Sequence, residues 1–124
     1  EGPSFYSDLP KNGIFYDTNG PHWNRRLVKS ETQATRRQVA SSLKHLGVSR
    51  MAVGHTMTKN IPGGVDGSIL LRHGGSIACI DVGLGLGNPG PCAALVIDDG
   101  VGSEWTPAHT RRLWGRRRKR TSQS

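Results

Sequence analysis

The hydrophobic pattern predicts one clear helix, and apolar residues recur there at roughly helical spacing. They are Ala34, Val39, Leu43 and Leu46. Ser30 and Gln33 form a capping-box pattern before this stripe, and Gly47 follows it at the position of a left-handed C-terminal cap. We therefore predict a helix that begins close to residue 30 and ends at Gly47.

Downstream of this helix, four short apolar segments predict strands. Their sequences are VSRMAVG, GSILLRH, GSIACIDVG and CAALVIDDG. Gly74 and Gly75 separate the second segment from the third and can adopt the positive φ angles of a hairpin turn. Residues 1–29 are rich in Gly, Pro, Asn and Asp and predict irregular chain. The sequence thus predicts an α+β fold with about four strands and one main helix that covers one sheet face.

The net charge of +8 is concentrated at the end of the chain. Residues 111–124 contain seven Lys or Arg and no acid, whereas residues 1–110 contain ten basic and nine acidic residues. We predict one domain over 1–110 and a basic, irregular tail over 111–124. Such a tail can bind nucleic acid or another anionic partner, or can serve as a solubilising terminus. Its candidate anion-binding residues are Arg116, Arg117, Arg118, Lys119 and Arg120.

Several classes of protein are excluded by the remaining composition. No apolar run approaches the ~18 to 20 residues of a membrane helix, and the first residues lack the order of a signal peptide. These features predict no transmembrane segment and favour an intracellular chain. Cys79 and Cys92 lie in strand-like segments, and no zinc-finger spacing is present.

A histidine stands at the exit of the first predicted strand, in the sequence SRMAVGHTMTKN. Gly54 allows a sharp bend before His55, and loops at strand ends commonly carry metal ligands and catalytic residues. A neutral imidazole is the commonest transition-metal ligand, and the hydroxyl of Thr56 could orient it. The alternative is a half-buried histidine that is hydrogen-bonded to backbone.

The order of motifs resembles the C-terminal half of a calcineurin-like metallophosphoesterase. GPHWNRRL, the helix, RMAVGHT, ILLRHGGSIACIDVGLG and NPGPCAALVID follow one another over roughly residues 19–98. More narrowly, the motif order resembles that of the Shewanella-like and related bacterial and fungal serine/threonine protein phosphatases. The resemblance implies that the α+β chain is the C-terminal part of a layered β-sandwich. It also implies an intact enzyme that hydrolyses a phosphorylated protein or a small phosphate ester.

The resemblance assigns roles to individual residues. His55 matches a ligand of the family's divalent metal ions, which are Mn, Fe or Zn. Arg25 matches the arginine at the substrate phosphate, and Arg26 beside it is a second candidate. Asp81 matches an aspartate expected to be a structural hydrogen-bonding partner. His73 falls where the family often has another residue, so a hydrogen-bonded or solvent-facing histidine is expected there.

Most of the family's catalytic motifs are missing from this sequence. It lacks Asp-x-His, Gly-Asp-x-x-Asp-Arg-Gly and Gly-Asn-His-Glu, and no His-Gly-Gly ligand segment precedes the tryptophan segment. One histidine cannot bind two metal ions, so we predict a partial phosphatase that is inactive alone and could bind no metal as a fragment. The sequence begins at Glu1 and not at an initiator Met, so we expect a processed chain or a piece of a longer one. The alternatives are a small basic binding module that acts through residues 111–120 and a non-catalytic remnant that binds a partner.

Overall fold

A computed structural model describes residues 13, 17, 19, 20, 23–85 and 92–116. The helices are α1 (Arg26–Lys29) and α2 (Gln33–Leu46). The strands are β1 (Met51–Val53), β2 (Leu70–Arg72), β3 (Ile77–Cys79), β4 (Ala94–Asp98), β5 (Val101–Trp105) and β6 (Thr110–Trp114). The predicted α+β class with one main helix is confirmed. The described residues form six strands, which are the four predicted ones and two more. Membership of a metallophosphoesterase-type sandwich stays a prediction.

Helix α2 begins two residues later than its capping-box pattern predicts. Thr32 is the N-cap, and its hydroxyl accepts a hydrogen bond from the Thr35 backbone N–H at 3.2 Å. Ser30 instead ends α1, so the predicted cap at Ser30 is wrong. Gly47 is confirmed as the left-handed C-terminal cap, with φ of 66°. No helix among the described residues is long and apolar enough to cross a membrane.

The strands form two three-stranded sheets. In the first sheet the order is β1-β3-β2, with β1 parallel and β2 antiparallel to β3. The turn between β2 and β3 contains Gly74 and Gly75 at φ of 66° and 88°, which confirms the predicted hairpin. In the second sheet, antiparallel strands follow in the order β4-β5-β6.

Helix α2 covers one face of the first sheet and buries two of the four predicted apolar positions there, whereas Ala34 and Leu46 are exposed. Val39 and Leu43 on the helix form a core with Ile77 and Cys79, which point to the same side of β3. Val28 and Ile61 complete the buried cluster. Each such side chain contributes about 1.5 to 3 kcal/mol by leaving water. Burial also raises the pKa of the Cys79 thiol to about 11, so this cysteine behaves as the small apolar residue that was predicted.

Strands β5 and β6 were not predicted, because their inward positions carry polar side chains. Glu104 on β5 is only 1% exposed and accepts hydrogen bonds from the Ile69 backbone N–H at 2.5 Å and from Arg111 Nε at 3.1 Å. The ion pair lets a carboxylate occupy a buried strand position and ties the second sheet to the segment before β2. Residues 111–114 belong to β6, so the predicted start of an irregular tail at residue 111 is wrong.

Strand β6 ends with an indole ring that lies on the backbone of β5. A Cβ atom at Gly102 would lie 2.1 Å from the ring of Trp114, so only glycine leaves room for this contact. The guanidinium of Arg50, which precedes β1, lies 5.1 Å from the centre of the same ring. Trp114 therefore joins β6 to the segment that leads from α2 into the first sheet.

Candidate functional site

His55 lies on an exposed bend two residues after β1, which is an edge strand of the first sheet. Its φ of 64° places a non-glycine residue in the left-handed region, at a cost of about 1 kcal/mol or more. A Cβ atom at Gly54 would meet no heavy atom of the described residues within 4 Å. The glycine before the histidine is thus not required by packing against this part of the chain.

Two of the predicted site residues, Arg25 and His55, lie beside the ring of Trp23. The centroid of the Trp23 ring lies 6.2 Å from the centroid of the His55 ring. The guanidinium carbon of Arg25 lies 5.7 Å from the same Trp23 centroid. Trp23 is 50% exposed, so this side of the ring system is accessible. Arg25 and His55 are thirty residues apart in sequence, yet both contact one indole.

The loop after His55 is attached to the exit of β3. The backbone N–H of Thr58, which is fully buried, donates to the carbonyl of Asp81 at 2.8 Å. The Asp81 carboxylate accepts a hydrogen bond from the backbone N–H of Gly83 at 3.1 Å. Thr56 is half-buried between His55 and this attachment. The contacts of Asp81 therefore hold backbone segments in place beside the histidine loop.

The other predicted ligands lie outside this cluster. Arg26 is an exposed residue at the start of α1, where its backbone N–H donates to the side chain of Asn24. Arg116 is exposed just after β6, and residues 117–120 of the basic tail lie outside the described residues. Arg25 and His55 are thus the predicted site residues that lie beside the Trp23 ring.

A buried polar cluster that the sequence analysis missed connects both helices to the first sheet. The Glu31 carboxylate lies 3.1 Å from Arg72 Nη1 and accepts a hydrogen bond from the His73 backbone N–H at 2.5 Å. His73 Nε2 lies 2.6 Å from the Leu27 carbonyl, and Arg72 also donates to the Pro62 carbonyl at 3.1 Å. His73 is therefore a buried, hydrogen-bonded residue. In the sequence, this cluster was signalled by Glu31, which is the one acid in the basic segment 23–50.

Both of the buried or half-buried glutamates are held as carboxylates. The His73 backbone N–H is the main influence that lowers the pKa of Glu31, and the Arg72 charge adds to it against the effect of burial. Burial raises the pKa of Glu104, but the Arg111 hydrogen bond and its other partners outweigh this and leave it below its usual value. Neither group holds a proton at neutral pH, so both act as structural ion-pair partners rather than general acids.

The described residues do not complete a metal site. No group of three or more His, Cys, Asp and Glu side chains within residues 23–85 and 92–116 is placed to hold a metal ion. A dinuclear centre needs several such ligands, and His55 is the one predicted ligand in this part of the chain. The metal-ligand role of His55 therefore stays a prediction.

No family model, curated protein or solved structure matches the chain. The residues around Trp23 are thus the direct basis for assigning a function.

Proposed function

We propose that the chain is the phosphate-binding and last-ligand half of a metal-dependent phosphomonoesterase. The convergence of Arg25 and His55 on the ring of Trp23 is the observation that supports this most strongly. The intact enzyme acts on a phosphorylated protein or a small phosphate ester, and the chain alone is inactive.

In this proposal each residue of the cluster has a separate task. The planar guanidinium of Arg25 binds two phosphate oxygens at once and offsets the charge that develops during transfer. The Trp23 ring attracts the guanidinium through its π face and so limits its orientation. The exposed imidazole of His55 is available as a nitrogen ligand. Divalent metal ions in such an enzyme supply an activated water for attack on phosphorus.

An exposed sheet face supports the proposal that this is half of a larger fold. Val96 and Trp105, which point to the same side of the second sheet, are 46% and 45% exposed. The same side also carries Asp98, Ser103 and Thr110, so the face is mixed, and its two large apolar side chains are what a second layer of structure would cover. A missing layer would account for this exposure and would also supply the remaining metal ligands.

The proposed site can be tested by adding Mn²⁺ and inorganic phosphate to the isotope-labelled chain and recording its NMR spectrum. Mn²⁺ is paramagnetic and broadens the signals of nearby nuclei. We expect the His55 imidazole and the Trp23 indole signals to broaden at lower Mn²⁺ concentration than the indole signals of Trp105 and Trp114. Phosphate should increase the effect, because Arg25 and the metal hold it between them.

Two variants control this experiment. His55→Ala should remove the broadening of Trp23, whereas His45→Ala should leave it unchanged, because His45 is an exposed histidine on α2. Broadening of His45 as strong as that of His55, or persistence of the Trp23 effect in His55→Ala, would contradict the proposed site.

A further inference from the structure

The helical part of the chain carries a strong positive charge that the charge of the whole domain conceals. Residues 23–50 contain seven Lys or Arg and one acid, Glu31, for a formal charge of +6. Residues 51–110 contain two basic and five acidic residues, for a charge of −3. The near neutrality of residues 1–110 is therefore an average over a basic helical layer and an acidic remainder.

Most of these cations are exposed on one continuous stretch of structure. We define the basic helical surface by its six exposed cations. They are Arg26, Lys29, Arg36, Arg37, Lys44 and Arg50. On α2, Arg37 and Lys44 lie seven residues apart on the side opposite the buried stripe, about 10 Å from each other along the helix axis. This spacing is suited to successive charges on a linear polyanion.

Guanidinium and indole groups pair at both ends of this segment. Arg25 lies against Trp23 before α1, and Arg50 lies against Trp114 after α2. Trp23 is half-exposed and lies beside Arg25, which directly precedes the first cation of this surface in the sequence. Aromatic rings beside a cationic surface allow unpaired bases to stack while phosphates bind the cations.

We infer that the basic helical surface binds single-stranded nucleic acid. Four of its six cations are arginines, which suit phosphate recognition. An anionic lipid surface is less favoured, because the outward side of α2 around Arg37 and Lys44 carries no large apolar side chain to insert. The inference does not require His55 or a metal ion, although it shares the Trp23 ring with the proposed phosphatase site.

The test measures binding of a fluorescent 20-nucleotide single strand by anisotropy at several salt concentrations. The variant Arg37→Gln with Lys44→Gln removes two charges from the basic helical surface and keeps good helix-forming residues. We expect its affinity to fall roughly tenfold, and the slope of log affinity against log salt to fall by about 1.4, since each phosphate contact contributes about 0.7. Trp23→Ala should weaken binding without changing this slope.

A matched variant separates this surface from the basic tail. Arg118→Gln with Arg120→Gln removes the same charge from the tail, and we expect a smaller loss of affinity than for the helix variant. Equal losses in the two variants, or loss in the tail variant alone, would overturn the inference. Tighter binding of polyglutamate or of anionic vesicles than of the oligonucleotide at equal salt would also overturn it.

Discussion

Replacement of Glu31 by Ala should lower the free energy of unfolding by about 3 kcal/mol at pH 7, the low end of the loss for a broken buried ion pair. Arg72 is 9% exposed at its side chain and would lose the carboxylate 3.1 Å away. The backbone N–H of His73 would lose its acceptor as well. We place the effect at the low end because the Glu31 side chain is 31% exposed. Urea denaturation followed by circular dichroism measures the change.

The effect of Glu31→Ala should depend on pH. The folded-state pKa of Glu31 is lowered from its usual 4.5, chiefly by the His73 backbone N–H. A lowered carboxyl pKa stabilises the fold fully above the unfolded value, and this stabilisation is lost as pH falls through the folded value. The difference in unfolding free energy between wild type and Glu31→Ala should thus be constant above about pH 5.5 and shrink below pH 4.5.

Two variants show whether the carboxylate itself is responsible. Glu31→Gln keeps an acceptor for His73 and loses the charge that faces Arg72, so it should lose less stability than Glu31→Ala and show no pH-dependent component from this site. Arg36→Ala removes the 3.9 Å exposed ion pair with Glu31 and should change stability by about 0.5 kcal/mol or less. A loss in Arg36→Ala as large as that in Glu31→Ala would contradict the assigned role of Arg72.

Gly64→Ala should also destabilise the fold by about 3 kcal/mol, the upper part of the range for overpacking. A Cβ atom there would lie 1.8 Å from the carbonyl oxygen of Thr58, which is main chain and cannot move away by a rotamer change. Thr58 is itself fixed, because it is 1% exposed and its N–H bonds to the Asp81 carbonyl. The substitution would therefore distort the loop that leads away from His55. Thermal and urea unfolding measure the loss.

Gly54→Ala is the matched control at the other end of the same loop. No heavy atom of the described residues lies within 4 Å of the added Cβ, and Gly54 does not have a left-handed φ. Its stability should change by about 0.5 kcal/mol or less, the usual range for a substitution that meets no special feature. Equal destabilisation by both substitutions would show that the contact between Gly64 and Thr58 is not the cause.

The parts of the fold that follow local rules were predictable from the sequence. Val39 and Leu43 on α2, the Gly47 cap and the turn at Gly74 and Gly75 depend on residues close together in the chain. The other two predicted apolar positions, Ala34 and Leu46, are exposed. Strands β5 and β6 depend instead on a distant pairing. The buried Glu104 is acceptable only because Arg111 and the Ile69 N–H neutralise and satisfy it. No local pattern in VGSEW or TRRLW signals that arrangement.

Some features of the candidate site could likewise be predicted from the sequence, and others could not. The predicted roles of His55 and Arg25 came from motif order, and the structure adds that Trp23 lies beside both residues. The Glu31 and Arg72 pair could not be predicted, because the two residues are forty-one positions apart and no local pattern around Glu31 signals the pairing. The positive charge of residues 23–50 was not apparent in the charge of residues 1–110, because acidic residues elsewhere in that range offset it.

The proposal that the chain is one half of a metallophosphatase can be tested with the nucleotide sequence upstream of the codon for Glu1. We expect an open reading frame that continues upstream and encodes Asp-x-His, Gly-Asp-x-x-Asp-Arg-Gly and Gly-Asn-His-Glu in that order. These segments would supply the ligands that His55 alone cannot provide. An in-frame stop or a start codon immediately before Glu1, or a long upstream frame without these segments, would contradict it.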